Sequence, residues 1–248
     1  MPKKYRLDYL VAQRHPELSR TQLQSVIMQG KVQVNGQVQT KQGAQVSEEA
    51  EIISNISLPK YASRAGLKLE AALDQFALDP TGLIVLDAGL STGGFTDCLL
   101  QRGAQRVYGV DVGTGQASEK IRQDERVIVM EQTNLRHLDF LPDKIDLATL
   151  DLSFISLTKV LEAVVNLLKP DGRIICLIKP QFEAKRHEVR RGGLIEDPEI
   201  HQRVQDEVVA YAKELGLELQ AEIIPSPIQG NTSGNIEFLA SFLRKHAP

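Results

Sequence analysis

The chain has 248 residues, 42% apolar and 25% charged, enough material for one large core or a small core beside a medium one. Its 29 basic and 32 acidic residues give a net charge of −3, which excludes nucleic-acid binding by bulk positive charge but not by a local basic face. The longest apolar runs, at 83–86 and 173–178, are strand-sized and far short of a bilayer span.

No charged-then-apolar leader follows Lys3, Lys4 and Arg6, so a cytoplasmic protein is expected. Cys98 and Cys176 lie in apolar segments without metal or disulfide spacing, which suits a reduced compartment. The histidines, His15, His137 and His187 among them, show no ligand spacing, and no metal is expected. Charge is unevenly spread. The first 60 residues hold eight basic and five acidic residues, a net of +3, while the rest hold 21 and 27, a net of −6. A basic head on an acidic body points to a head that meets a polyanion.

In the head, Leu7, Leu10 and Val11 fall at helical spacing, and Pro16 stops that helix. Ser19 and Gln22 form a capping box for a second helix, with Leu23, Val26 and Ile27 on one face and Gly30 past its end. Residues 31–34 then alternate, Asn35-Gly36 supplies a type I′ turn, and Val38 begins the return strand. Two helices and a small sheet in about 60 residues make a marginal core.

The body alternates strands, at 83–86, 106–110, 127–130, 145–150 and 173–178, with helices at 68–76, 94–101, 115–123, 157–168 and 199–215. Asp197 and Pro198 are strong start signals for the last helix. Apolar strands alternating with amphipathic helices imply an α/β fold, a mostly parallel sheet covered on both faces. Segments 217–225 and 235–243 break the rhythm and predict an antiparallel hairpin at one sheet edge.

In such sheets ligands sit beyond the carboxyl ends of the strands. Asp87 ends the first strand and leads into a turn containing Gly89, Ser91, Gly93, Gly94 and Phe95, in which the glycines let a ligand approach the backbone. The turn is neither G-x-G-x-x-G nor a P-loop. Asp111 ends the second strand, where an acid can accept both hydroxyls of a ribose. Two acids favour an adenosine with a cationic tail, such as S-adenosylmethionine, over a dinucleotide; an ordinary βα turn is the other reading. Asn134 and Leu135, after the third strand, could meet an adenine edge. Asp151 leaves the fourth strand and Lys179 the fifth, either as site residues or as a structural ion pair.

Six motifs now stand in order: 63–69 (SRAGLKL), 91–97 (STGGFTD), 110–113 (VDVG), 151–157 (DLSFISL), 179–183 (KPQFE) and 234–237 (GNIE). Together they resemble the TlyA/haemolysin A family, ribosomal RNA 2′-O-methyltransferases with an N-terminal S4 domain. The head resembles the S4 pattern through Arg6-Leu7-Asp8, Ser19-Arg20, Gly30-Lys31-Val32 and Val34-Asn35-Gly36. The resemblance implies an S4-like RNA-binding domain over 1–60 and, over 61–248, a Rossmann-like class I methyltransferase domain of the FtsJ type. It also implies S-adenosylmethionine as cofactor, and ribosomal RNA or ribosomal subunits as partner, with a cytidine as the acceptor. A Lys-Asp-Lys-Glu tetrad carries over onto Lys68, Asp151, Lys179 and Glu237.

A ribose hydroxyl is a poor nucleophile while protonated, so such an enzyme must align an in-line displacement and handle one proton. An ordinary lysine, with a pKa of roughly 10.4, does this only as an orienting donor unless its surroundings change it. Arg6, Arg20, Lys31 and Arg64 are the expected phosphate contacts. Residues 184–193, rich in arginine, read either as a mobile loop near the site or as solvated charge. Three other functions compete: a membrane-damaging haemolysin, disfavoured by the lack of a spanning or strongly amphipathic segment; an RNA-binding protein without catalysis; and a small-molecule methyltransferase, which leaves the head without a purpose.

Overall fold

The structure is a computed structural model that describes residues 2–16, 18–56, 59–229 and 234–245. The chain divides into two compact units, Met1–Leu58 and Pro59–Pro248. In the first, β1 (Lys4–Arg6), α1 (Leu7–Arg14) and α2 (Arg20–Met28) precede β2 (Val32–Val34), β3 (Gln37–Gln39), β4 (Gln45–Ser47) and β5 (Ile52–Ser54). The Ser19–Gln22 capping box forms in full, and Asn35 and Gly36 take positive φ in the turn joining β2 to β3. The sheet order is β3-β2-β5, with β1 and β4 as a separate antiparallel pair that local patterns did not predict. Leu7, Val11, Leu23, Ile27 and Val32 are buried together in its core.

The second unit continues with α3 (Ala65–Gln75), β6 (Ile84–Ala88), α4 (Gly94–Gln101), β7 (Arg106–Val110), α5 (Glu119–Arg122), β8 (Val127–Met130) and β9 (Ile145–Leu150). It ends with α6 (Leu161–Leu167), β10 (Leu168–Ile178), α7 (Pro180–Glu183), α8 (Pro198–Glu214), β11 (Leu217–Leu219), β12 (Ile224–Pro225) and β13 (Phe238–Arg244). The sheet runs β11-β13-β10-β9-β6-β7-β8, with β12 also on β13. Strands β6 to β10 are parallel, while β13 lies antiparallel against β10.

Alternation along the central strands feeds both faces. Ile174, Cys176 and Ile178 pack with α6 and α8, whereas Ile175 and Leu177 pack with α3 and α4. Two expected helices are shorter than read. Residues 115–118 are irregular, leaving α5 only from Glu119. The 157–168 segment begins as a 3-10 turn at Leu157–Lys159, and its helix stops at Leu167 shortly before Pro170. Strand order reverses between β6 and β9, so the crevice at that switch point lies between the turns after Ala88 and Leu150.

Candidate active site

The switch point brings backbone against backbone. Asp151 N–H donates to the Ala88 carbonyl at 3.0 Å, and a Cβ on Gly89 would lie 2.5 Å from the Asp151 carbonyl oxygen. Gly89 has φ +91°, so glycine is required here twice over. Ser91 also takes positive φ, and its N–H donates to Asp111 Oδ2 at 2.7 Å, while Gly113 N–H donates to Asp111 Oδ1 at 2.7 Å. Asp111 thus ties the two ligand turns together.

A cavity of about 610 Å³ opens beside these turns, and Lys68, Asp151, Lys179 and Glu237 all line it. Lys179 Nζ lies 2.6 Å from Asp151 Oδ1 and donates to Ser153 Oγ at 3.3 Å. Lys68 Nζ donates to Glu237 Oε2 at 2.5 Å. Both pairs are largely buried. Their convergence follows from the topology. Lys68 sits on the buried face of α3, while Asp151 and Lys179 leave the carboxyl ends of the neighbouring parallel strands β9 and β10. Because β13 runs antiparallel with Ile178 opposite Phe238, its preceding residue Glu237 starts at that same rim.

The other expected residues are placed unevenly. Gly89, Ser91, Gly94 and Phe95 line the cavity. Gly93 instead packs against Ile121, which a Cβ would meet at 2.6 Å. Asp87, read as facing a ligand, is wholly buried: its carboxylate accepts from the Thr96 hydroxyl at 2.6 Å and the Thr149 hydroxyl at 3.2 Å. Burial pushes its carboxyl up to about 6. Asn134 is exposed and caps the turn Leu135–His137, and Leu135 itself is a core residue. Their apolar and capping signals were indistinguishable from ligand signals in the sequence.

Arg64 is exposed on the cavity rim, and Arg20 and Lys31 are exposed in the first unit. Arg6 is also exposed but engages Asp8 through two hydrogen bonds of 3.0 and 2.7 Å, which hold the Asp8 carboxyl below its usual range. Cavity residues that sequence reasoning missed include Phe154, 91% exposed, whose ring stands 5.2 Å from that of Phe182. Phe154 has φ +64°, a strained conformation for an aromatic residue. Its signal was a lone aromatic in a turn beyond a strand. Gly192 and Gly193, at the end of the 184–193 segment for which a loop near the site is one of the two readings, also line the cavity, as does Ile228, which carried no local signal.

Among the described residues no cluster could hold a metal ion, and no helix is long and apolar enough to cross a membrane. Cys98 and Cys176 are both buried, and burial raises both thiols, Cys98 to about 11.

Comparison with known proteins places this geometry. The FtsJ-like methyltransferase family matches residues 61–243, and the S4 domain family matches residues 6–52. The chain is 39% identical to the "16S/23S rRNA (cytidine-2'-O)-methyltransferase TlyA" of Mycobacterium tuberculosis over 96% of its own length and 89% of that protein's. It is 41% identical to the solved "Putative hemolysin from Streptococcus thermophilus", covering 100% of this chain and 90% of that one, with a TM-score of 0.74. An S-adenosylmethionine-dependent methyltransferase from Mesorhizobium loti, 16% identical, shares the fold over 71% of this chain and 98% of its own, with a TM-score of 0.52. The chain belongs to the FtsJ-like family of S-adenosylmethionine-dependent methyltransferases and carries an S4 domain ahead of that fold.

Proposed function

We propose that this protein transfers a methyl group from S-adenosylmethionine to a ribose 2′-hydroxyl of ribosomal RNA, with a cytidine as the acceptor. The observation that carries the reading is the meeting of two buried lysine–carboxylate pairs on one cavity beside a glycine turn. Buried ion pairs contribute little to stability once desolvation is counted, so a pair kept at a cavity wall points to chemistry.

The residues present fit the cofactor. Gly89 and Gly94 offer bare backbone to the cavity, and Val112, 72% exposed beside Asp111, leaves an apolar surface suited to a purine. Asp111, already holding two N–H groups, retains lone pairs for ribose hydroxyls. When bound, the cofactor supplies an electrophilic methyl on a sulfonium.

Everything else falls to the chain. An ammonium has three donors: Ser153 Oγ accepts one from Lys179, and the Asp151 carboxylate lies 2.6 Å away as its ion-pair partner. A remaining N–H is left to orient the acceptor oxygen, and the hydroxyl proton passes to the Asp151 carboxylate, which has lone pairs to take it, and on to solvent. Lys68, fixed by Glu237, adds a second positive charge to the wall. Phe154 and Phe182 form an apolar platform on which an unstacked base can rest, the usual means of exposing one nucleotide of a folded RNA. Arg6, Arg20, Lys31 and Arg64 supply phosphate contacts.

The test is incubation with methyl-labelled cofactor and purified 30S subunits, 50S subunits or protein-free rRNA, followed by mapping of the label. Label on a ribose 2′-oxygen is expected. Lys179→Ala should lower turnover by at least about 100-fold while cofactor affinity changes little. Label on a base, or near-native turnover in the variant, would overturn the reading.

A further inference from the structure

Glu183 lies at the end of the one-turn α7, four residues past Lys179, and does not line the cavity. Its carboxylate is nevertheless committed. Oε2 accepts from the Ser156 hydroxyl at 2.5 Å, and Oε1 accepts from the Leu157 N–H at 2.9 Å. Those two residues belong to the turn after β9, which carries Asp151, Ser153 and the strained, exposed Phe154. The segments after β9 and β10 therefore meet at three levels: Lys179 on Asp151 and Ser153, Phe182 against Phe154, and Glu183 on Ser156 and Leu157.

We infer that Glu183 is a positioning residue for the acceptor half of the site: it pins the 151–157 turn to α7 and so fixes the Phe154–Phe182 platform relative to Lys179. This rests on the function proposed above and adds a residue to it. A positive-φ phenylalanine with most of its ring in solvent has little packing of its own to hold it. Deleting the carboxylate leaves the Leu157 N–H and the Ser156 hydroxyl without this acceptor and frees the turn. The glycine turn after β6 and Asp111 make no hydrogen bond to Glu183, so cofactor binding is expected to be independent of it. Gln in its place keeps one oxygen for Leu157 N–H and an amide for Ser156 Oγ, so Glu183→Gln should retain much of the function that Glu183→Ala loses.

Two measurements decide the matter. Hydrogen exchange on the full chain, without RNA, should show residues 152–158 exchanging at least tenfold faster in Glu183→Ala than in wild type, with 87–95 unchanged and with Glu183→Gln in between. Unchanged exchange at 152–158 in both variants overturns the positioning role, whether or not the protein methylates RNA. In turnover assays with the ribosomal subunits, Glu183→Ala should raise the KM for subunits at least tenfold while the cofactor Kd stays within twofold and Glu183→Gln recovers most of the loss. An equal loss of cofactor affinity, or no recovery by glutamine, overturns it. Wild-type protein that labels no RNA would instead overturn the function proposed above and leave the exchange result to judge Glu183.

Discussion

Asp87 shows how an acid at a strand end can turn inward rather than toward a ligand. Its position at a strand end suggested a ligand-facing acid, but the side chain points inward to Thr96 and Thr149 and is fully buried. Burial raises its carboxyl from 3.8 to about 6. The native state therefore keeps a proton that the unfolded chain gives up near pH 4. By linkage, stability falls as pH rises from about 4 to about 6 and is flat above, a loss on the order of 3 kcal/mol. Asn at this site can still accept from Thr96 and donate to Thr149. Asp87→Asn should accordingly show a higher urea midpoint relative to wild type at pH 7 than at pH 4, and equal differences at both pH values would refute the assignment. The tetrad residues behave differently: spacing along the chain could not reveal that Lys68 pairs with Glu237, 169 positions away.

At the scale of elements, the glycine turn after β6 is the feature where local sequence and tertiary contact agree. Its glycines were legible as a tight turn, but the reason for Gly89 in particular is the carbonyl of Asp151 from a neighbouring strand. Gly216 offers a control, since it has φ +77° with open space where a Cβ would go. Gly216→Ala should cost only backbone strain, about 1–2 kcal/mol. Gly89→Ala adds overlap with the Asp151 backbone, so its loss in urea unfolding should be clearly larger, and calorimetry should show at least a tenfold drop in cofactor affinity. Equal costs at the two sites would mean that the switch-point crevice yields easily. The helices over 115–123 and 157–168 were overread for an opposite reason. Their apolar residues mark burial, yet Ile121 and Leu157 are buried from a short helix and a 3-10 turn, which periodicity over a few residues does not separate from a full helix.

For the whole molecule, charge divides as the fold divides: a basic first unit precedes an acidic second one that holds the tetrad and the glycine turn. If the first unit carries the RNA phosphates, replacing Arg6, Arg20 and Lys31 together by Ala should weaken RNA binding. The slope of log affinity against log salt should also shrink by roughly 0.7–0.9 for every phosphate that is no longer neutralised. Cofactor binding should be unchanged. Filter binding across a salt series checks this, and an unaltered slope would remove these residues from the RNA interface.

The alternation of parallel strands with helices in the second unit, the capping box, the type I′ turn and the antiparallel ending were written in local patterns, because hydrogen bonding and burial periodicity act over a few residues. What only the tertiary structure decided is which strand ends share a rim. Glu237 reaches Lys68 because β13 runs backwards beside β10, and Glu183 meets Ser156 and Leu157 because the turns that carry them leave the same ends of the neighbouring parallel strands β9 and β10. Such contacts depend on the direction and register of segments far apart in the chain, and no local pattern of residues encodes a distance across a sheet.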